Sequence, residues 1–327
     1  MSDLMVTPVD DREPLQVSSS DAANPVGLDG IEFIEYSTTK PQALGQVLEM
    51  MGFKPVARHR SREVLLYRQG ALNIVVNAHP AVSHDVASTG GVSSDTPVIS
   101  AIALRVRDAR AAYAYVRERG AWDVPTRAEV MELNIPGIHG AGGSRIYFVD
   151  RYREFSIYDV DFVAIPGVDQ HPPALAGLHF FGIVQYIGVD RSYDWIEFYK
   201  ELFGFELIPD EERFGIMPSG KLLRSPAVSS AQDFMLQLVE PHIHVQDASE
   251  SLKRLGLGVP DVPAAVKALR QLGIEFVESD RESKGAGADL RGALTKIYLG
   301  SVAFELVHSD KSAANHAVGS VRKAVQS

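Results

Sequence analysis

The sequence predicts an α+β protein assembled from four βαβββ modules in two domains. Three observations lead there. Its 327 residues exceed one ordinary core and suit two domains of about 150 residues each. A strand, an amphipathic helix and a helix-ending glycine recur at four places along the chain. The runs that follow each helix are short, apolar-alternating and separated by turn residues, as strands of a half-buried sheet are. Apolar residues make up 45% and charged residues 23%, the proportions of a chain that buries a sizeable core.

Residues 1–28 contain Asp3, Asp10, Asp11 and Glu13 with no apolar run, and read as a flexible leader. The first module begins at residues 30–53, GIEFIEYSTTKPQALGQVLEMMGF: an alternating strand, a polar turn, an amphipathic helix, then Gly-Phe where the helix stops. Strands follow in VLLYRQGALNIVVN at 64–77. The second module opens on Ala101-Ile-Ala-Leu-Arg-Val-Arg-Asp108, continues as a helix to Gly120 and closes in SRIYFVDRYREFSIYDVDF at 144–162. Residues 164–176, AIPGVDQHPPALA, read as a linker. The third module repeats the first as GIVQYIGVDRSYDWIEFYKELFGF at 182–205, with FMLQLVEP at 234–241. The fourth matches the second: Arg254-Leu-Gly-Leu-Gly-Val-Pro-Asp261, a helix to Gly273, then TKIYLGSVAFELVH at 295–308. The expected domains are therefore 29–163 and 177–309, with a polar tail at 310–327.

Composition narrows the function classes. The formal net charge is −10 and the basic residues are scattered among acids, so no stripe for nucleic acid forms and a small molecule is the expected partner. The absence of cysteine excludes disulfides, thiolate metal sites and cysteine nucleophiles, and agrees with a cytoplasmic location. With no 18-residue apolar stretch, no membrane partner is expected.

Paired βαβββ modules resemble the vicinal oxygen chelate superfamily, the glyoxalase/dioxygenase fold, in which two modules curl their sheets into a half-open barrel. Within it, HRSREVLLYRQGALNIVVNAHP (59–80) and GGSRIYFVDRY…FSIYDVDF (142–162) are similar to the amino-terminal domain of bacterial 4-hydroxyphenylpyruvate dioxygenases. YDWIEFYKELFGFEL (193–207), KLLRSPAV (221–228) and VAFELV (302–307) are similar to the catalytic domain, so the resemblance covers about residues 29–308. It implies an oxo-acid ligand in the C-terminal barrel, a homodimer formed edge to edge, and iron(II) held by two histidines and a glutamate.

The residues at the implied metal positions depart from that set. Counting five residues back from Val189 gives Val184, with Gln185 one step away, and counting back from Val259 gives Arg254. A guanidinium stays protonated and cannot ligate a divalent cation. Only the carboxylate is retained, as Glu305 in Phe304-Glu305-Leu306, so a degenerate metal site is expected, with an Arg254–Glu305 ion pair in its place and no cofactor. Among the implied substrate-binding positions, Ser225 is kept, while Val239 and Lys296 replace an asparagine and a glutamine. A relocated iron(II) or other divalent site would draw on His179, or on His242 and His244, whose i, i+2 spacing points to one side of an extended chain. His59, His79, His139 and His171 are expected to be structural or solvated.

Three functions remain open at this point. The first is a metal-independent acid–base enzyme of the lyase or isomerase type, with Glu305 as general base or acid, Arg254 as anion clamp, and Gln185, Ser225 and Lys296 lining the site. The second is an iron(II) dioxygenase with relocated ligands. The third is a non-catalytic binder of a small anionic or aromatic molecule.

Overall fold

The structure, a computed structural model, describes residues 23–78, 96–125, 133–152, 155–210, 220–226, 233–240, 250–277 and 292–309. The first half runs β1 (Leu28–Ser37), α1 (Pro41–Met50), β2 (Lys54–His59), β3 (Val64–Gln69) and β4 (Leu72–Asn77), then β5 (Val98–Val106), α2 (Ala109–Glu118), β6 (Gly137–His139) and β7 (Arg145–Val149). A short helix α3 (Ile157–Asp161) and β8 (Phe162–Ala164) complete it. The second half runs β9 (His179–Tyr186), α4 (Ser192–Phe203), β10 (Glu206–Leu207), β11 (Lys221–Arg224) and β12 (Met235–Val239). It ends with β13 (Ser251–Val259), α5 (Val262–Gln271), β14 (Gly292–Leu294) and β15 (Phe304–His308). The expected α+β class is observed.

The two Val-x-Asp phrases act as helix starts. Asp108 accepts from the Ala111 N–H at 2.9 Å and Asp261 from the Ala264 N–H at 2.8 Å, each satisfying an otherwise unpaired donor of the first turn. At the other end, α4 stops where Gly204 adopts φ 73°, a left-handed conformation that glycine reaches without strain.

The strands form one continuous sheet in the order β10-β11-β12-β9-β13-β5-β1-β4-β3-β2-β8, with β15 and β14 branching from β13, and β7 and β6 from β5. In each half two long strands pair antiparallel at its centre, β1 with β5 and β9 with β13. Each of those four strands has a parallel partner on its other side: β4, β7, β12 and β15 respectively. Among the described residues the sheet passes from one half to the other at one register pair, Leu252 with Ile99.

One core runs through both halves on the helix-bearing faces, containing Leu48, Ile102, Tyr199, Leu255 and Leu269. The other face of each half carries a separate, smaller cluster: Phe33, Leu66, Val75 and Ala103 in the first, and Ile208, Leu222 and Met235 with Phe181 in the second. The packed chain also starts upstream of residue 29. Val26 and Leu28 are buried, and Asn24 brackets Leu28 by donating to its carbonyl and accepting from its N–H, so part of the expected leader belongs to the core.

Candidate functional site

Strand register sets the site in the second half. Register partners in neighbouring strands point to one face of a sheet, and residues two apart in a strand share that face. One row across the half is Leu222, Gln237, Val184 and Arg254. The next is Arg224, Met235, Gly182, Gly256, Glu305 and Leu294. Arg254 and Glu305 therefore lie on the concave face, one step apart on adjacent strands.

Both are buried, at 8% and 4% exposure. Arg254 Nε donates to Glu305 Oε2 at 3.1 Å. Nη2 lies 3.0 Å from the same oxygen, yet its N–H directions miss it and Nη2 makes no hydrogen bond. A buried guanidinium with donors to spare is thus held beside a buried carboxylate, next to an apolar wall of Phe181, Ile208, Leu222 and Met235.

The other expected site residues are distributed unevenly. Val184 is the register partner of Arg254 and is buried without a donor atom. Val239, two residues beyond Gln237 on β12, faces the same side. Ser225 is buried at the start of the β11–β12 connection, where its hydroxyl accepts from the Phe234 N–H at 3.0 Å and donates to the Pro226 carbonyl at 3.4 Å.

Gln185 does not line the concave face. It follows Val184 on β9 and so points to the helix side, where its Oε1 accepts from the Tyr199 hydroxyl at 2.6 Å. Burial, with a smaller contribution from Glu250, pushes the Tyr199 phenol upward and keeps it a donor. Lys296 also departs from expectation: its amine pairs with Glu275 on the exposed surface, the two side chains being 59% and 64% exposed.

Among the histidines, His179 is buried and engaged, with Nδ1 3.0 Å from the Gly177 carbonyl and Nε2 3.1 Å from Ser309 Oγ. Its register partner is Gly258, four residues or about 13 Å along β13 from Arg254. His242, His244 and His79 lie outside the described residues. His59 serves a turn, accepting from the Ser61 N–H at 3.2 Å and packing edge-on against Phe162.

Iron(II) in a 2-His-1-carboxylate arrangement needs two imidazoles beside the carboxylate. Here a cation already sits on Glu305, Val184 offers no lone pair, and no group of three or more candidate ligands occurs among the described residues. These residues do not fit the metal.

Several concave-face residues were not singled out from sequence: Phe181, Leu222, Met235 and Gln237. The period-2 alternation of MLQLV, which sets Met235, Gln237 and Val239 on one face, was the available signal. The first half holds a further buried network that sequence did not flag. Arg105 Nε donates to Glu32 Oε2 at 2.5 Å, Asn73 donates to the Glu32 carbonyl at 2.9 Å, and Arg68 donates to Asn73 Oδ1 at 2.7 Å. Burial disfavours the Arg105 cation, but the Glu32 charge and hydrogen bond outweigh it and hold the guanidinium above its ordinary value.

Comparison with known proteins sets this geometry in a family. The family described as hydroxyphenylpyruvate dioxygenase, N-terminal, matches residues 22–163. A 4-hydroxyphenylpyruvate dioxygenase of Pseudomonas sp. (strain P.J. 874) is 43% identical over 187 residues, 57% of this chain and 51% of that one, so the match spans about half the relative's length. Another, from Pseudomonas aeruginosa, is 34% identical over 279 residues, covering 80% of this chain and 75% of that one. Among solved structures, a mutant 4-hydroxymandelate synthase from Streptomyces coelicolor superposes with a TM-score of 0.67 over 87% of this chain and 93% of that one at 16% identity, which identifies the fold. The chain is a vicinal oxygen chelate protein and belongs to the 4-hydroxyphenylpyruvate dioxygenase family.

Proposed function

We propose that the C-terminal half-barrel binds a small anionic or aromatic ligand of the oxo-acid type, without a His-His-Glu iron centre. One observation carries this reading: the buried Arg254–Glu305 pair stands at the concave face with Arg254 Nη2 free of hydrogen bonds. A carboxylate presented to that nitrogen gains a charge-assisted hydrogen bond in a site shielded from water. The wall of Phe181, Leu222 and Met235 suits the apolar body of such a ligand.

Glu305, displaced from Arg254 when the ligand's carboxylate engages the guanidinium, is positioned to take a proton from carbon next to a carbonyl. That gives a metal-independent acid–base reaction; without turnover, the same contacts describe a binding protein. The reading treats the two halves as domains joined by residues 164–176, in a cytoplasmic protein that pairs as a homodimer. Among the described residues no helix is long and apolar enough to cross a membrane.

The test combines metal analysis of the purified protein with calorimetric titration of aromatic 2-oxo acids. The expected result is no stoichiometric metal, and a ligand affinity reduced roughly 10- to 100-fold by Arg254→Leu, the worth of one hydrogen bond to a charged group. One equivalent of iron lost on Glu305→Gln, or unchanged affinity in Arg254→Leu, overturns the reading.

A further inference from the structure

Leu252 and Arg254 are two residues apart on β13, a spacing that in a regular strand keeps both side chains on one face. Here they part: Leu252 pairs with Gln185 and packs into the helix-side core, while Arg254 pairs with Val184 on the concave face. Lys253 is the extra residue of the bulge that makes this change of face. Its amine lies over the Tyr186 ring, 6.0 Å from the centroid. Tyr186 stands two residues beyond Val184 on β9, so the ring and the amine share the concave side with Arg254 and Glu305. Resting on the oxo-acid reading above, we infer that Lys253 is the nucleophile of the concave face and forms an imine with the ligand's 2-oxo carbonyl.

The surroundings of the amine suit that role. Lys200, Lys221 and Lys296 each face a carboxylate on the surface, whereas Lys253 is half-buried and no ion pair of its amine occurs among the described residues. Burial holds the amine below the ordinary lysine range, which enlarges the neutral, nucleophilic fraction. The Tyr186 ring still leaves the protonated form a favourable resting place between encounters.

Arg254 and Lys253 then divide the ligand between them. The guanidinium takes the carboxylate and the amine meets the carbonyl carbon next to it. The nitrogen–carbon bond forms, the carbonyl oxygen leaves as water with two hydrogens from the nitrogen, and nothing is oxidised or reduced. A protonated imine draws electrons from the adjacent carbon, so the proton that Glu305 is placed to take becomes more acidic without a metal. Return of a proton to carbon and hydrolysis of the imine regenerate Lys253.

Reductive trapping tests this. The full chain is incubated with phenylpyruvate and sodium cyanoborohydride, and phenylpyruvate binding is followed by calorimetry in the same preparation. The intact mass is expected to rise by a single reduced phenylpyruvate, and peptide mapping to place it on Lys253. Lys253→Arg keeps a cation over Tyr186 and should retain binding while losing the adduct. Mapping of the wild-type chain is decisive whether or not that variant folds. Binding without an adduct on Lys253, adducts spread over surface lysines, or equal labelling of Lys253→Arg overturns the imine and leaves the oxo-acid reading standing. Absence of calorimetric binding overturns both.

Discussion

Val184 and Arg254 are register partners across β9 and β13, so a valine and a guanidinium stand side by side on the concave face, and Glu305 on β15 turns its carboxylate to the guanidinium. Two charges withdrawn from water in this way cost several kcal/mol of desolvation each, and their mutual attraction offsets that only while both are present. Arg254→Leu or Glu305→Leu alone should destabilise the protein by about 3–5 kcal/mol, whereas the double variant should lose much less. Urea unfolding of the four proteins in the cycle measures the coupling; additive losses would show that the pair is not energetically linked.

The long-range pairing of Arg254 with Glu305 was legible because both sit on strands whose alternation is clear, so their faces followed from counting. Gln185 was misplaced by the same arithmetic: one residue separates it from Val184, and a single step along a strand exchanges the concave face for the helix face. Bulges add a second difficulty. The register shifts between Leu252 and Arg254, and between Gly256 and Leu257, insert Lys253 and Phe181 out of step, and nothing in the local composition marks either position. The Glu32–Arg105 network was illegible for a different reason, since its members come from separate strands and only their convergence reveals them.

Glu250 ties the start of α4 to the sheet. Its Oε1 accepts from Trp195 Nε1 at 2.9 Å and from the Gly188 N–H at 3.2 Å, while Arg191, half exposed at 3.8 Å, adds little. Glu250→Ala should cost about 2 kcal/mol, the scale of hydrogen bonds to a charged acceptor. Trp195 is 9% exposed and Trp122 78%, so in a Trp122→Phe background the emission reports on Trp195 alone. A red shift of that emission together with the lower urea midpoint is the expected outcome.

Alkaline stability follows from the buried phenols. Burial raises Tyr36, Tyr158 and Tyr199, with Glu32 adding to Tyr158 and Glu250 to Tyr199, and it raises Tyr67 and Tyr147 as well. In the unfolded chain a tyrosine releases its proton near about pH 10. Above that pH the unfolded chain holds fewer protons than the native one, so stability falls as pH rises. The contribution is fully present below about pH 10 and is lost above it. Tyrosinate absorbance from these buried residues should therefore appear together with the loss of far-UV circular dichroism, and Tyr36→Phe should move that transition to higher pH.

The arrangement on the concave face also predicts what would convert it into a metal site. Arg254→His removes the cation from Glu305, and Val184→His supplies a second imidazole from the register partner, so three ligands would share one face of the sheet. Gly182 cannot serve instead, because a Cβ there would lie 2.4 Å from the Met235 carbonyl oxygen, a contact only a backbone shift relieves. The Val184→His/Arg254→His chain should bind one equivalent of cobalt(II), visible as ligand-field absorption, and lose it when Glu305 becomes glutamine. The single variant Arg254→His, with one imidazole and one carboxylate, should bind at least tenfold more weakly, since each lost ligand leaves the ion to water. Equal binding by the single and double variants would place position 184 away from the metal.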